Sequence, residues 1–373
     1  MRYRVAETFL FDTCTHKCAY CHFAESGKVL DISQMRPYRD PAFIDRIVEF
    51  FNNRTTDEDK WLLTLTGGEP MLMPNLERFA RGLSSCGNKI AFYTAMLIGE
   101  THPTFRFLIE EGTSVTDYIM ASFHPEAEAI EDQFFRRLAM LKAAGHSVIF
   151  RFVGHPARLH RLDDLAHRCR EIDVAFHPTP LFSVDYPAAY TIEERQALEK
   201  HACSLSQVIQ LNGGIDTVEL QCSAGSDLIF IDLRTGDITP CAHVGNLKLG
   251  NLYDDTFVQL PPVIPCPLKG STPCSCDIHF QQGTVGGSSD DRSAFAAEKS
   301  GYVSPVSFDV LSRRITEAGT RFGTTSPLMG RTETVGQGAL DNEFVKAAYR
   351  MNKTYFDGPY SERNHPAFRS RQS

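Results

Sequence analysis

Cys14-Thr15-His16-Lys17-Cys18-Ala19-Tyr20-Cys21 puts three thiols into eight residues, spaced C-x3-C-x2-C. The stretch follows an apolar run, Val5 to Phe11, that reads as a β-strand. Thiolates are the ligands that hold iron–sulfur clusters. Three of them hold three irons of a four-iron cube and leave the fourth open. An open position is what separates a catalytic metal centre from a closed structural one. The alternative is a structural zinc site, which wants four ligands and would have to enlist His16 or His22.

Outward from the cysteines, strand-like runs alternate with amphipathic helices to about Asn212. Asp40-Pro41 opens the first helix, with Asp as N-cap and Pro in the first turn. Phe43, Ile44, Ile47, Val48 and Phe51 then repeat at helical spacing. Trp61 to Thr66 reads as a buried strand and runs straight into Gly67-Gly68-Glu69-Pro70. Further strands are expected over 89–94, 116–122, 147–153 and 174–177, with helices over 74–85, 104–111, 130–144 and 162–169. Thr191-Ile192-Glu193-Glu194 is a capping box that opens a long helix to about Ile209.

Six successive βα units imply a parallel sheet with helices outside, as a doubly wound sheet or a (β/α) barrel. In both, sites form at the C-terminal ends of strands. The cysteine loop, the Gly-Gly-Glu-Pro turn, Ser122 to His124 and His155 all fall there. Six units are fewer than the eight of a closed barrel, so the expected fold is α/β, a partial (β/α)6 barrel over 1–212. A small α+β domain follows over 213–282, then a C-terminal extension over 283–373. In the second domain Leu228 to Leu233 and Ile238 to Cys241 flank Arg234-Thr235-Gly236-Asp237, a hairpin with a glycine turn. Residues 285–291 have the composition of a flexible linker.

A net charge of −8 disfavours nucleic acid or an anionic membrane as partner. No apolar run approaches the ~20 residues that span a bilayer, and the N-terminus lacks a secretory pattern. The expectation is a cytoplasmic protein. Eleven cysteines in a reducing compartment are then not a disulfide framework. Cys86, Cys169 and Cys203, scattered through helical segments, are expected to pack in the core. Cys222, Cys241, Cys266, Cys274 and Cys276 form a second group.

The N-terminal residues resemble the radical S-adenosylmethionine (SAM) superfamily, on the cysteine spacing with aromatic Tyr20 after strand one and Gly67-Gly68-Glu69-Pro70 after strand two. The resemblance covers about 210 residues as an alternating pattern. It implies that Cys14, Cys18 and Cys21 hold a 4Fe–4S cluster whose fourth iron is chelated by SAM. It further implies reductive cleavage of SAM to methionine and a 5′-deoxyadenosyl radical that abstracts hydrogen from a C–H bond. Flavodoxin or ferredoxin would be the electron donor. Gly67 and Gly68 would let backbone carbonyls approach the SAM ammonium, with Glu69 favouring its charge and Pro70 closing the turn. Glu69-Pro70 also reads simply as a turn before a helix. Tyr20 would lie against adenine; Ser122 and Arg151 resemble positions at the ribose and carboxylate of SAM, although Arg151 reads equally well as facing an outer helix. Relatives often carry Thr-Asn-Gly after strand three, where this chain has Thr94-Ala95-Met96, which leaves a polar contact from that strand end in question.

Cys222-x13-Gly236-x4-Cys241 resembles the opening of the twitch and SPASM auxiliary-cluster domains of many radical SAM enzymes. Five cysteines suit one auxiliary 4Fe–4S cluster with one thiol to spare, and zinc is the alternative there. The expected reaction is oxidation or epimerisation of a small polar substrate, sugar- or aminocyclitol-like, with the auxiliary cluster as electron relay. The alternative is a maturase that modifies a ribosomally made precursor peptide, and a third reading is a non-catalytic electron carrier. Peptide maturases often carry a leader-binding domain ahead of the barrel; with strand one starting by Val5, none is expected. His124, His155 and His177, at strand ends, are candidate proton acceptors or ordinary polar residues at strand–loop junctions.

Overall fold

A computed structural model describes residues 2–16, 18, 20–21, 31–181, 189–201, 207, 210–211, 221–261 and 264–265. Six strands, β1 (Arg2–Phe9), β2 (Asp59–Thr66), β3 (Lys89–Thr94), β4 (Thr116–Phe123), β5 (Val148–Gly154) and β6 (Ala175–Pro180), alternate with six helices. These are α1 (Pro41–Asn52), α2 (Leu76–Ser84), α3 (Pro103–Glu110), α4 (Glu131–Ala143), α5 (Leu162–Glu171) and α6 (Ile192–Glu199). Short strands β7 (Gln221–Cys222), β8 (Leu228–Asp232), β9 (Asp237–Thr239), β10 (Gly250–Asn251), β11 (Thr256–Phe257) and β12 (Ile264–Pro265) follow.

The chain forms two compact units, one of Met1–Phe150 with Ser223–Pro262, the other of Arg151–Cys222 with the residues from Val263 onward. In the first, the sheet runs β11-β10-β9-β8-β1-β2-β3-β4 and is not closed into a barrel. β1 pairs in parallel with both β2 and β8, and β2–β3 and β3–β4 are parallel too. From β8 outward the pairing is antiparallel. In the second unit the end of β5 from Arg151 to Gly154 lies in the strand next to β6, and β7 pairs antiparallel with β12.

Parallel strands covered on both faces read as near-continuous apolar runs. Trp61, Leu62, Leu63 and Leu65 of β2 are accordingly buried. Arg4 of β1 shares that interior by laying its guanidinium 4.1 Å from the Trp61 ring centre and donating from Nε to the Ser226 carbonyl at 3.0 Å. α1 starts as its sequence requires, with the Asp40 carboxylate accepting from the Ala42 N–H at 2.9 Å. Its Ile44, Ile47 and Phe51 are fully buried, each contributing ~1.5–3 kcal/mol. Phe43 is half-buried, edge-on to Tyr38. The Thr191–Glu194 capping box forms with both hydrogen bonds. No helix among the described residues is long and apolar enough to cross a membrane.

Three details differ from the sequence reading. α6 stops at Glu199 rather than continuing to Ile209. There Lys200 Nζ and His201 Nε2 both turn back to Asp163 Oδ1 of α5, at 2.6 and 2.8 Å, and the His201 ring stands edge-on to Phe176. Cys169 is fully buried as expected, whereas Cys86, in the turn after α2, is only half-buried. The predicted hairpin is present as β8–β9, with Gly236 at φ +79°, but it extends the N-terminal sheet beside β1. Cys203, Cys266, Cys274, Cys276, the linker and the C-terminal extension lie outside the described residues, as does the side chain of Cys222.

Candidate functional site: a cysteine loop stitched to a glycine turn

The β1–β2 ladder continues past its formal end, where the Leu10 N–H donates to the Thr66 carbonyl at 2.9 Å. Beyond it the chain enters the cysteine loop, and the strand beside it enters Gly67-Gly68-Glu69-Pro70. Two backbone bonds join these segments, Gly68 N–H to Phe11 O at 2.6 Å and Glu69 N–H to Thr13 O at 2.9 Å. The approach is so close that a Cβ on Gly68 would lie 2.0 Å from Thr13 O, and one on Gly67 2.5 Å from Phe11 O. Gly67 also has φ +136°. Both glycines are therefore required by the cysteine loop itself.

Glu69 is fully buried. Its Oε1 accepts from Met71 N–H at 2.9 Å and Thr94 Oγ1 at 2.6 Å, its Oε2 from Ala95 N–H at 2.8 Å. Burial pushes its pKa up, and the donors pull against that shift. The end of β3 thus does make polar contact, and Glu69 receives it. Thr94 Oγ1 also accepts from Met96 N–H at 2.9 Å, and Met96, where relatives often carry Gly, is buried at φ +53°.

On the loop, Cys18 is buried, Cys14 and Cys21 half-buried, and the Cys21 N–H donates to Cys18 O at 2.9 Å. Burial drives the Cys14 thiol up to about 11, with the charges of Glu69 and Cys21 adding to the rise. Cys18 is raised as well, by burial and then by Glu126, whose carboxylate accepts its S–H. Glu126 lies in the turn after β4, and nothing in the sequence pattern singles it out. Tyr20 Oη is 2.7 Å from His124 Nδ1, the two rings tilted at 5.8 Å, with His16 edge-on to His124 at 6.2 Å.

Of the other expected site residues, Ser122 is half-buried near the end of β4. In the second unit, Arg151 Nε donates to Thr179 Oγ1 on β6 at 3.0 Å. His177 is fully buried, its pKa pushed down to about 3 by burial and by Arg151. His155 caps the segment Pro156–Arg161, accepting from Ala157 N–H at 3.3 Å. Cys241 is buried just beyond β9.

The first unit is thus an open α/β sheet with a three-thiol loop and a glycine turn joined at the ends of its first two parallel strands. Over residues 8–169 the chain matches the model of the radical SAM superfamily, and it carries a radical SAM domain there. Members of that superfamily are enzymes that use a 4Fe–4S cluster and SAM. No curated protein sequence matches the chain. Among solved structures it is similar to SuiB of Streptococcus suis bound to S-adenosylmethionine, at 14% identity and TM-score 0.47, covering 68% of this chain and 64% of that one. It is similar also to SuiB bound to its precursor peptide SuiA, at 14% identity and TM-score 0.46, over 72% and 66%. Native anSMEcpe with bound AdoMet is 13% identical with TM-score 0.48, over 82% and 99%. The chain spans a little under two thirds of the SuiB chain.

The loop fits the cluster by its donor set. Burial raises the Cys14 and Cys18 thiols most, with Glu69 and Cys21 adding at Cys14 and Glu126, Cys21 and Cys14 at Cys18, so a bound cation is what would stabilise the thiolate forms. Among the described residues no three His, Cys, Asp or Glu side chains converge on a single ion. A four-iron cube asks instead for one thiolate per iron, and so for ligands further apart.

Proposed function

We propose that this protein cleaves SAM reductively and removes a hydrogen atom from a C–H bond of a small polar substrate, sugar- or aminocyclitol-like, giving oxidation or epimerisation. The observation that carries the SAM reading is the pair of backbone bonds fastening Gly68 and Glu69 to Phe11 and Thr13, which makes the glycine turn and the cysteine loop one rigid piece. When bound, the cluster and SAM supply the electron and the 5′-deoxyadenosyl radical of the superfamily's chemistry. Cys14, Cys18 and Cys21 hold the cluster. Glu69 locks the turn to β3. Tyr20, its hydroxyl fixed by His124, offers a flat face to adenine. His124 is the proton acceptor for a carbinol that loses a proton with its electron, and its bond to Tyr20 sets the ring's orientation. Ser122 and Arg151 are assigned to the ribose and carboxylate of SAM, and four of the five cysteines from Cys222 onward to an auxiliary cluster.

The second reading is a peptide substrate, the class bound in the SuiB–SuiA structure and in anSMEcpe with its Kp18Cys peptide. The test is anaerobic reconstitution, reduction with dithionite or with a flavodoxin or ferredoxin, and detection of 5′-deoxyadenosine. Its absence from protein that has taken up iron refutes the SAM reading. About eight irons per chain support the auxiliary cluster and about four refute it. Deuterium transferred into 5′-deoxyadenosine from a labelled aminocyclitol or from a labelled peptide decides between the substrates.

A further inference from the structure

We propose that Arg234, in the turn of the β8–β9 hairpin, is a positioning residue for the cysteine loop, acting through an ion pair with Asp12. The inference rests on the reading that Cys14, Cys18 and Cys21 hold a four-iron cluster.

Asp12 stands two residues before Cys14 and is only 3% exposed. A carboxylate taken out of water needs a cation or several donors to remain charged. Arg234 supplies the cation, with Nη1 2.8 Å from Asp12 Oδ1. The other oxygen, Oδ2, has only a long 3.4 Å contact with Gln34 Nε2, while the Asp12 N–H donates to Gln34 Oε1 at 2.9 Å. Arg234 is itself held on two further sides. Its Nε and Nη2 donate to Asp232 Oδ1 and Oδ2 at 2.9 and 2.6 Å, and its guanidinium lies 4.4 Å from the Phe9 ring centre. A planar fork that stacks on one side chain and donates to two carboxylates is specific to arginine; lysine reproduces the charge alone.

The clamp bears on the cysteines because Asp12 lies between two fixed points. Behind it, Phe9 ends β1; ahead of it, the Asp12 and Thr13 carbonyls are the backbone against which Gly68 is packed. Without the guanidinium, the Asp12 carboxylate is buried and unpaired. Its relief is to rotate toward water, and a residue so tightly hemmed in carries Thr13 and Cys14 with it. A residue 222 positions away in sequence thereby sets the direction in which the chain leaves β1 for its first iron ligand.

The test uses the full chain, reconstituted anaerobically, as wild type, Arg234→Gln, Arg234→Lys and Asp12→Asn. The readouts are the electron paramagnetic resonance spectrum of the reduced cluster with and without SAM, its midpoint potential, and the rate of iron loss to a ferrous chelator. Changes at groups supporting metal ligands typically weaken metal sites 10–100-fold, so Arg234→Gln is expected to lose the SAM-dependent cluster's iron at least about tenfold faster, with an altered spectrum. Arg234→Lys is expected to fall between it and wild type. A double variant with Asp12→Asn is expected to be no worse than Arg234→Gln alone, since the unpaired charge is gone. If Arg234→Gln does not fold, Arg234→Lys carries the test and is expected to show the same spectral change in smaller measure, since lysine keeps the charge but not the fork. Folded variants whose spectra, potential and iron-loss rates match wild type overturn the clamp and leave the cluster reading standing. A wild-type protein that takes up no iron at Cys14, Cys18 and Cys21 overturns both.

Discussion

Replacing Gly68 by alanine adds one methyl group, and the structure states what that methyl meets. Its carbon would lie 2.0 Å from Thr13 O, 2.4 Å from Thr13 C and 2.6 Å from Asp12 O, all backbone. Reaching ordinary contact at 3.4 Å means parting the glycine turn from the cysteine loop by about 1.4 Å. No side chain can swing aside to absorb this. The bonds from Gly68 N–H to Phe11 O and Glu69 N–H to Thr13 O break or stretch, at ~0.5–1.5 kcal/mol each. With the packing lost around them, the expected cost is ~2–4 kcal/mol. Gly99 is the control, since a Cβ there meets nothing within 4 Å, and Gly99→Ala should stay within ~0.5 kcal/mol of wild type. Equilibrium denaturation of the apoprotein measures the stability, and iron per chain with the reduced-cluster spectrum measures the loop. Should Gly68→Ala unfold at the wild-type denaturant midpoint and bind iron with an unchanged spectrum, the stitched turn is not what holds the loop.

Glu69→Gln leaves one oxygen where two now accept from donors that include Met71, Thr94 and Ala95, and is expected to cost ~1–3 kcal/mol in denaturation, in addition to lowering affinity for SAM in a titration. His177, neutral in the fold with a pKa near 3 against an ordinary 6.5, binds more protons when unfolded, so its share of stability is complete above pH 6.5 and lost as pH falls toward 3. That slope is up to about 1.4 kcal/mol per pH unit, and His177→Gln should reduce the pH dependence of denaturation midpoints across the window, with His243 and other buried histidines still contributing in the same sense. Met96→Gly relieves ~1–2 kcal/mol of left-handed backbone strain but empties a buried side-chain site worth ~2–5 kcal/mol, so its net effect on the unfolding midpoint should be destabilising.

The order of strands and helices was legible because local signals set it: the period of Ile44, Ile47, Val48 and Phe51, the cap at Asp40, and the box at Thr191 and Glu194. The cysteine loop and glycine turn were legible for a related reason, as each is a short contiguous motif placed directly after a strand. What stayed hidden is what distance along the chain hides. Glu126 reaches Cys18 only through the packing of the turn after β4 against the loop. Arg234 meets Asp12 only once β8 has paired with β1. The stop of α6 depends on Asp163, a helix away, and overrides an apolar pattern that continues beyond it. The glycines were read as sites where backbone carbonyls approach the SAM ammonium; their close approach to the cysteine loop backbone is a further demand that no local pattern could name.

The parallel pairing of β1 with β8 has a consequence for the life of the chain on the ribosome. β1 precedes the rest of its sheet in sequence, and it is an interior strand, covered on one edge by β2 and on the other by Leu228–Asp232. Until synthesis has passed residue 232, five residues of β1, Val5 to Phe9, have an open edge of backbone donors and acceptors immediately ahead of the cysteines. Between the synthesis of β1 and that of residue 232, the thiols proposed to bind iron stand beside an incomplete sheet. A helper that shields such an edge, or iron delivery delayed until the hairpin has folded, would raise the yield of cluster-loaded protein. Truncation before Leu228 should leave a chain that aggregates through β1.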